Sequence, residues 1–415
     1  MPLTDRAKLI LTRILFFFAL TQVILGVLSL RGGLRFQKYV KSELGRRKLD
    51  FRPFASIIVP CRGLDQGLIE NLASFGSLNY PDYELLFVLD DKSDPAFQVI
   101  ANLRNSNRLS KIPTKVLIAG NSICNSQKVH NLLHAVENVN PACEVLVFAD
   151  SDARPDPDWL KALVEPLADE TVGAATGYRW FVPVHGGVAS NLRSVWNASI
   201  ASALGADRRG NFCWGGSTAI RRRTFESANV RNFWRQAASD DFAMMHALRA
   251  AGLPIHFVPA CLIPSYEDCT FRELIEFTTR QLKITRVYAE PFWKAVLIGS
   301  LLFVPVFSGL ILLCIYRLFS GAGALFPVSL FLAIFALGAI KSIIRLRSVE
   351  SIFRSNGIEA SLGFVSHVLL WPIATALYLI NSLAALFSRR IEWRGIVYEL
   401  NSPNETAIIR RASRN

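Results

Sequence analysis

The sequence EVLVFADSDARP, residues 144–155, joins a strand pattern to an acidic motif. Its first half, EVLVFA, is a continuous apolar run, which is typical of a strand buried on both faces of a parallel sheet. Its second half opens with Asp150, Ser151 and Asp152. Two carboxylates two residues apart at an extended strand end point to the same side, and they repel each other unless a cation lies between them. The stretch therefore predicts a buried strand that delivers a pair of acidic ligands to one edge of a sheet.

The same strand pattern occurs at four other places, and helical patterns separate the strands. The strand runs are ASIIVP at 55–60, ELLFVL at 84–89, and residues Lys115–Ile118 and Val172–Thr176. The segments between them have apolar residues three or four positions apart, as in amphipathic helices. These segments are Leu68–Phe75, Pro95–Asn105, Lys128–Val139 and Asp158–Leu167. The alternation predicts an α/β fold with a mostly parallel sheet covered by helices, whose ligands bind beyond the carboxyl ends of the strands.

Acidic residues follow two of these strands. The group at 90–94, DDKSD, comes after ELLFVL, and Asp150-Ser151-Asp152 comes after EVLVFA. A single Asp in such a place is commonly a turn or helix-capping residue, and that alternative stays open for the first group. The second group is more specific because paired hard oxygen ligands select Mg²⁺ or Mn²⁺, ions that often hold substrate phosphates. The sequence has no GxxxxGK[ST] loop and no strand-following GxGxxG, which argues against a P-loop or a dinucleotide fingerprint.

A third acidic group, Ser239-Asp240-Asp241, precedes the amphipathic pattern FAMMHALRAAGL at 242–253. An Asp in this position commonly caps the helix. A carboxylate at the amino end of a helix can also act as a general base. From spacing alone, the cap is assigned to Asp240 and the base to Asp241.

The composition indicates a membrane protein. Hydrophobic residues make up 51% of the 415 residues, the mean hydropathy is +0.29, and 19% of residues are charged, below the value of about 25% in soluble domains. The net charge is +13, which in so apolar a chain favours basic cytoplasmic segments over nucleic-acid binding. The same figures exclude intrinsic disorder. The seven cysteines form no CxxC pair, which argues against a disulfide framework or a zinc site.

One uncharged apolar run lies near the amino terminus, from Ile14 to Leu30. Arg13 precedes it, and the basic residues that follow it are Arg31, Arg35, Lys38, Lys41, Arg46, Arg47 and Lys48. A signal peptide has its charges before the apolar run and a small-residue cleavage site after it. Because most of the charge follows the run, the sequence predicts an uncleaved anchor with residues from Arg31 onward in the cytosol.

Three more apolar stretches lie in the last third of the chain, at Ala295–Tyr316, Ala324–Ile344 and about Leu362–Phe387. Each is long enough to cross a hydrocarbon core of ~30 Å. Four spans would return the carboxyl terminus to the outside, whereas six arginines near it indicate the inside. Those arginines are Arg389, Arg390, Arg394, Arg410, Arg411 and Arg414. The disagreement predicts that one stretch is re-entrant or interfacial.

Together these features resemble the nucleotide-sugar-dependent inverting glycosyltransferases of the GT-A fold, and among them the membrane-bound ceramide glucosyltransferase group. The family pattern is an Asp after the second strand, a DxD-type metal motif, a late Asp preceded by an acid, and (Q/R)xxRW on an interfacial helix. The surrounding sequence also matches at 59–75, 78–96, 126–136 and 213–222, and at the late WRG of 393–395. The resemblance covers most of the chain.

The resemblance implies roles for the donor-binding residues. Asp150 and Asp152 would bind Mg²⁺ or Mn²⁺, which would neutralise the diphosphate of the donor. Asp91 would contact the nucleoside. Lys128 and Asn131 would line the donor site.

The resemblance also implies the groups that act on the reacting atoms. Asp241 would take the proton from the acceptor hydroxyl as it attacks the anomeric carbon, with inversion. Arg280 and Lys283 would stabilise the departing diphosphate. Where (Q/R)xxRW is expected the chain has RQLKI at 280–284. Lys283 is therefore a point charge without the bidentate fork of arginine, and Ile284 offers no aromatic face.

The function implied is that of a multi-pass membrane hexosyltransferase with its catalytic domain in the cytosol. The expected donor is a UDP-sugar carrying glucose, and the expected acceptor is a membrane lipid hydroxyl such as that of ceramide. The lipid bilayer is an expected partner and nucleic acid is not. The alternatives are a hopanoid or other lipid glycosyltransferase, a processive polysaccharide synthase, and a non-catalytic membrane-anchored binding protein. The altered (Q/R)xxRW and the small number of spans count against the synthase, and the intact carboxylates count against the binding protein.

The expected order along the chain has six parts. They are an N-terminal transmembrane anchor at 1–31, a basic juxtamembrane linker at 32–52, the GT-A catalytic domain at 53–270, an interfacial helix at 271–294, a C-terminal transmembrane bundle at 295–388 and a basic tail at 389–415.

Overall fold

The structure is a computed structural model that describes residues 5–47 and 49–412, so Lys48 and Arg414 of the two basic segments lie outside the described residues. The α-helices are α1 Asp5–Leu44, α2 Leu68–Ser74, α3 Pro95–Arg104, α4 Gln127–Glu137, α5 Trp159–Val164, α6 Val188–Ala201, α7 Arg222–Ser227, α8 Val230–Trp234, α9 Asp240–Ala250, α10 Phe271–Tyr288, α11 Glu290–Phe319, α12 Leu325–Ser355, α13 Phe364–Leu369 and α14 Trp371–Phe387. The strands are β1 Ala55–Pro60, β2 Tyr83–Leu89, β3 Thr114–Ile118, β4 Val145–Ala149, β5 Ala174–Val182, β6 Ser217–Arg221, β7 Ile255–Tyr266, β8 Arg390–Trp393, β9 Ile396–Ser402 and β10 Glu405–Arg411.

Seven strands form one sheet in the order β3-β2-β1-β4-β6-β5-β7. Its neighbouring strands are parallel except where β6 lies antiparallel between β4 and β5. One face packs against α2, α3 and α5, and the other packs against α4, α8 and α9. The predicted α/β fold of the GT-A class, a mostly parallel sheet covered by helices with apolar helices at both ends of the chain, is confirmed.

The sheet brings the functional segments to one edge. Because β1, β2 and β4 run in parallel, the residues that follow them, including the acidic groups at 90–94 and 150–152, emerge on the same side. The antiparallel β6 contributes its amino end there, since Ser217 pairs with Ala149. The predicted strands and helices up to residue 176 agree with the structure to within a few residues, apart from β5, which extends on to Val182.

Among the described residues, three helices are long and apolar enough to cross a membrane: α1, α11 and α12. The third C-terminal stretch differs from the sequence interpretation. It was expected to be one apolar segment long enough for a span, but it is divided at Leu370 into α13 and α14. Pro372, in the first turn of α14, lacks the backbone N–H needed to continue the preceding helix. The 17 residues of α14 would span only about 25 Å, less than a core of about 30 Å. It is therefore the candidate for the re-entrant or interfacial stretch that the charges predict.

The expected interfacial helix ends earlier than predicted. α10 begins with a capping box formed by Thr270 and Glu273, and it ends at Tyr288, because Ala289 leaves the helical conformation before α11 starts. α14 packs against α10, α11 and α6, so it lies beside the catalytic domain.

The segment predicted as a basic tail is folded. β8, β9 and β10 form an antiparallel three-stranded sheet, and its apolar face, including Ile396, Tyr398 and Leu400, packs against Ala238 and against Ile284 of α10. The C-terminal sheet therefore lies on the catalytic domain.

Candidate active site

The acidic motifs meet in one cavity of about 950 Å³ at the edge of the main sheet. Asp150 and Asp152 line it from the end of β4, and Asp240 and Asp241 line it from the start of α9. The two motifs are ninety residues apart in sequence. The structure thus brings the predicted metal ligands and the predicted base into one site.

Two cations neutralise the carboxylates of this site. Arg179 of β5 donates to Asp152 Oδ2 at 3.0 Å and to Asp150 Oδ2 at 3.1 Å. Lys128 Nζ lies 2.8 Å from Asp150 Oδ1 and 3.1 Å from Asp240 Oδ1. Arg179 also lies over the ring of Trp214 at 4.8 Å. The arrangement is a chain of alternating charges in which each carboxylate except Asp241 shares a cation with a neighbour.

The balance between burial and the neighbouring cations gives these acids different pKa values. Burial raises the pKa of Asp152 to about 6, despite the nearby Arg179. Burial likewise raises the pKa of Asp240 to about 6, because Lys128 offsets it only in part. For Asp150 burial acts in the same direction, but Lys128 and Arg179 together outweigh it and leave the pKa lowered. Asp150 is therefore the acid most firmly held in its charged form.

The cap assignment at α9 is wrong. Ser239 is the N-cap, since its hydroxyl accepts from the backbone N–H of Phe242. Asp240 is buried and joined to Lys128 instead. Asp241 accepts from Phe242 N at 2.8 Å and from the Ser239 hydroxyl, both through Oδ1. Its Oδ2 has no hydrogen-bond partner among the described residues.

Gly215 allows the Lys128–Asp240 pair to exist. A Cβ at this position would lie 2.6 Å from Lys128 Nζ and would overlap the Asp240 carboxylate. Gly215 is in the loop before β6, in the segment CWGGS. The backbone of this loop forms one wall of the charged pair.

The structure does not bring Asp91 to the cavity. Asp91 is exposed, and its carboxylate accepts from the backbone N–H of Ser93 within the same loop. The preceding Asp90 is buried and pairs with Arg62. Arg62 in turn lines the cavity. Asp91 thus lies outside the wall of the cavity, and the nucleoside contact expected of it stays a prediction.

Lys128 and Asn131, expected to line the donor site, both line the cavity from α4. Asn131 is buried, and its Oδ1 accepts from Gln127 Nε2 at 2.9 Å, while its Nδ2 donates to Val88 O at 3.4 Å. These bonds fix the first turns of α4 to the end of β2. Asn131 is thus held against the sheet, whereas Lys128 is held by the carboxylates of Asp150 and Asp240.

The two residues of α10 that were predicted to bind the diphosphate, Arg280 and Lys283, lie in different surroundings. Arg280 lines the cavity, lies over the rings of Phe277 and Trp393 at 5.7 and 5.8 Å, and forms no salt bridge within the described part of the chain. Burial lowers the pKa of Arg280 to about 10, and the neighbouring Arg394 and Arg179 act in the same direction. Lys283 is not among the described residues that line the cavity. Its Nζ donates to Arg390 O at 2.7 Å and to Ser388 Oγ at 3.3 Å, so the role predicted for Lys283 is corrected to anchoring the C-terminal sheet.

Several residues that line the cavity were not identified from the sequence. Arg179 could have been found, because it is a lone charge in the apolar strand AATGYRWFV, whose other residues are buried. Trp393 and Arg394 line the cavity from the C-terminal sheet. Their WRG segment belongs to the family resemblance, but nothing in its local sequence links it to the acidic motifs.

The other end of the cavity is apolar. Its lining includes Trp196 and Ile200 of α6, Phe292 and Val296 of α11, and Tyr378 of α14. The cavity therefore extends from the charged cluster to a groove among helices that adjoin the membrane-spanning segments. The carboxylates, the guanidinium of Arg280 and the apolar groove together can hold a diphosphate compound and an apolar molecule side by side.

Comparisons with known proteins identify a matching family and two curated relatives. The family described as "Glycosyl transferase family 21" matches residues 14–406. Two curated relatives from Caenorhabditis elegans, ceramide glucosyltransferase 3 and ceramide glucosyltransferase 1, are each 34% identical to this chain over 83 residues. The matched stretch is 20% of this chain and 18% and 17% of these relatives, so it spans less than a fifth of their length.

Two solved structures also match this chain at low identity. The mannosyltransferase PcManGT from Pyrobaculum calidifontis, in complex with GDP-Man and Mn²⁺, has a TM-score of 0.48 at 17% identity, over 89% of this chain and 97% of its own. The glucosyl-3-phosphoglycerate synthase from Mycobacterium tuberculosis, in complex with Mn²⁺ and UDP-glucose, has a TM-score of 0.36 at 13% identity, over 60% of this chain and 82% of its own.

Proposed function

The chain belongs to glycosyl transferase family 21, and on that premise we propose that it transfers glucose from UDP-glucose to a hydroxyl of a membrane lipid such as ceramide, with inversion. Glycosyl transfer follows from the family. The matched relatives are named ceramide glucosyltransferases, which supports glucose and ceramide as the first substrates to test. The observation that carries the proposal is the continuity of the cavity from the charged cluster to the apolar groove of α6, α11 and α14.

The charged end of the cavity suits a nucleotide diphosphate. Arg280 lies there without a carboxylate partner among the described residues, close enough to Arg394 and Arg179 to be repelled by them. A diphosphate relieves this repulsion, and planar guanidinium groups match its oxygens. Arg280 therefore stabilises the departing diphosphate. Lys128 and Asn131 form the wall on the donor side.

Asp150 and Asp152 fit a divalent ion. One guanidinium, that of Arg179, already bridges both carboxylates, which supports their ability to share a single cation. Among residues 5–47 and 49–412, no cluster of three or more His, Cys, Asp or Glu could complete a metal site. The other ligands would then be diphosphate and water oxygens, as is usual for Mg²⁺. When bound, Mg²⁺ or Mn²⁺ neutralises the diphosphate and makes the nucleotide a better leaving group.

Asp241 is the proposed general base. It lies at the amino end of α9 on the cavity wall, and its Oδ2 takes no hydrogen bond from the described residues. A lipid hydroxyl that attacks the anomeric carbon from the side opposite the diphosphate would give its proton to this oxygen, and the anomeric configuration would invert. Asp240 is less suited to this role because Lys128 already binds its carboxylate.

The groove of α6, α11 and α14 is the proposed acceptor site. Trp196, Val296 and Tyr378 offer an apolar lining of the kind that binds acyl chains. α11 continues from this groove into a segment long and apolar enough to span a membrane. A lipid could therefore keep its chains near the bilayer while its head group reaches Asp241.

The contacts of the C-terminal sheet support a three-span topology. The chain leaves the catalytic domain at α10 and returns to it at the C-terminal sheet, so it crosses the membrane an even number of times in between. α11 and α12 supply two crossings, and α14 adds none. With α1 as the first span, the catalytic domain and the basic C-terminal sheet would both face the cytosol, in agreement with the positive-inside rule. A multi-pass protein with access to cytosolic UDP-sugars is proposed.

A hopanoid or another lipid alcohol would use the same groove, and this alternative stays open. A processive polysaccharide synthase is less well supported, because the lining of the groove is apolar rather than suited to a sugar chain.

Transfer by the purified full-length protein in lipid vesicles would test the proposal. The assay would supply radiolabelled UDP-glucose, UDP-galactose or GDP-mannose with ceramide or a hopanoid alcohol, and Asp241→Asn would be the control. Label in the organic extract of the wild type, with the anomeric configuration inverted by NMR, is the expected result. Label in a water-soluble polymer would favour the synthase. No transfer from any donor would contradict enzymatic function.

A further inference from the structure

The turn at Arg394-Gly395 joins β8 to β9 and has an unusual backbone. Trp393 pairs with Ile396, so Arg394 and Gly395 are the two central residues of a tight hairpin, with φ of 51° and 73°. Such turns favour Asn or Gly at both positions. A positive φ at Arg394 is disfavoured because its Cβ crowds the backbone. Strained residues of this kind persist where the surroundings hold them, and they cluster at functional sites.

Arg394 is connected to the acidic motif of β4. Its guanidinium pairs with Asp65, whose Oδ2 accepts from the Ser151 hydroxyl at 2.7 Å. Ser151 is the residue between the two proposed metal ligands. The carbonyl of Arg394 accepts from Arg62 Nε at 3.0 Å. The tip of the hairpin is therefore fixed against the donor end of the cavity.

The hairpin tip places the ring of Trp393 and the guanidinium of Arg394 next to Arg280, in the positively charged part of the cavity. Trp393 and Arg394 both line the cavity, and the Trp393 ring lies 5.8 Å from the Arg280 guanidinium. In α10, the positions that would carry these two residue types have Lys283 and Ile284, which are used to hold the C-terminal sheet. Arg394 and Trp393 of the turn place a cation and an aromatic ring at the cavity, although they are far from α10 in sequence.

The C-terminal sheet does not depend on the Arg394 side chain for its docking. Tyr398 is buried, and its hydroxyl accepts from Gln127 N at 3.1 Å. Arg411 donates to Gln127 Oε1 at 3.1 Å and to Ser122 O at 2.5 Å. Lys283 binds the backbone of β8 at Arg390. These contacts hold the sheet in place independently of the Arg394 guanidinium, whose partner is Asp65.

We propose that Trp393 and Arg394 belong to the donor-binding site, with Arg394 and Arg280 together binding the diphosphate of the nucleotide donor and Trp393 holding the Arg280 guanidinium. The inference rests on the proposed function, because it needs a nucleotide diphosphate as ligand. It adds a second chain segment, after the last apolar helix, to the machinery of the catalytic domain. The C-terminal sheet is then a part of the active site rather than a tail.

Calorimetric titration of the full-length protein with UDP and with GDP, in the presence of Mg²⁺, would test this proposal. Arg394→Gly removes the guanidinium with its ion pair to Asp65 and also relieves the positive-φ strain, so its two effects on stability oppose each other. We expect Arg394→Gly to weaken UDP binding about 10- to 100-fold, as for the loss of a charged hydrogen bond, while the protein stays folded. Trp393→Phe keeps an aromatic ring and should weaken binding less.

Arg390→Ala is the matched control. It removes an arginine from the same sheet, one that is exposed and paired with Glu399, and it should bind UDP within twofold of the wild type. Binding within twofold by Arg394→Gly would overturn the inference. An equal loss of UDP binding in Arg390→Ala would also overturn it, in favour of a general effect of charge in the C-terminal sheet. A wild type that bound neither nucleotide would instead overturn the proposed function itself.

Discussion

Replacing Gly215 with alanine should damage the active site through one methyl group. The new Cβ would lie 2.6 Å from Lys128 Nζ and would overlap the Asp240 carboxylate. An ordinary contact between such atoms is about 3.5 Å, so the lysine would have to retreat by about 1 Å. Gly215 does not have a positive φ, so the backbone tolerates alanine and the effect comes from the collision alone.

The retreat is costly because both partners are held in place. Lys128 is bound to Asp150 at 2.8 Å and to Asp240 at 3.1 Å, and their side chains are between 7% and 19% exposed. Overpacking of a buried site typically destabilises a protein by about 1–3 kcal/mol. A displacement of about 1 Å in a reacting assembly can lower the rate about 100-fold. We therefore expect a larger fractional loss in transfer than in stability.

The assay compares glucose transfer and thermal unfolding of Gly215→Ala with those of Gly205→Ala. Gly205 is a matched control, because a Cβ there would meet nothing within 4 Å and its φ is not positive. We expect Gly205→Ala to behave as the wild type in both measurements. Wild-type transfer and stability in Gly215→Ala would refute the geometry of the Lys128–Asp240 pair.

The remaining predictions concern the base, the metal ligands and the topology. Asp241→Asn should lower transfer about 10²- to 10⁴-fold, as for the loss of a general base, with UDP affinity by calorimetry within a few-fold of the wild type. Asp240→Asn should mainly lower the melting temperature, because it weakens a buried ion pair; if it abolishes transfer and Asp241→Asn does not, the two roles are exchanged. Asp150→Asn should abolish transfer in the presence of Mg²⁺ or Mn²⁺ while the protein stays folded, and transfer at the wild-type rate would contradict the metal site. In intact cells, an impermeant thiol reagent should label Ser320→Cys, between α11 and α12, but not Asn404→Cys, in the C-terminal sheet, measured against the wild-type background; labelling of Asn404→Cys would contradict the cytosolic position of that sheet.

Local sequence was sufficient to predict the strand ends but not always the side chain that faces inward. ELLFVL and the acids after it correctly indicate the end of β2. Successive side chains of a strand point to opposite faces, so one step separates a buried Asp90 from an exposed Asp91. Nothing in the pair DD itself distinguishes the two, and the register is fixed by the pairing of β2 with β1 and β3.

Long-range contacts account for most of what the sequence did not reveal. Lys283 was expected in the cavity, but its partner is the backbone of β8, more than a hundred residues away. Arg394 reaches Asp65 across 329 positions. The third C-terminal apolar stretch has the composition of a span, yet it breaks at Leu370 and packs on α10 and α6. In each case the contact joins the C-terminal part of the chain to a segment far away in sequence, and such a contact has no local signature.

The charges of the site explain why a metal ion and a diphosphate would bind together. Without ligands, Arg179 and Lys128 already balance most of the charge of Asp150, Asp152 and Asp240. A divalent ion alone would add positive charge beside two cations that hold the same carboxylates. A diphosphate alone would bring its negative charge close to the carboxylates. When both enter, their charges largely cancel, Arg179 can exchange a carboxylate for a phosphate oxygen, and Arg280 gains the anion that it lacks among the described residues. The site is therefore balanced for a metal–diphosphate pair, which is the form in which a nucleotide sugar would enter it.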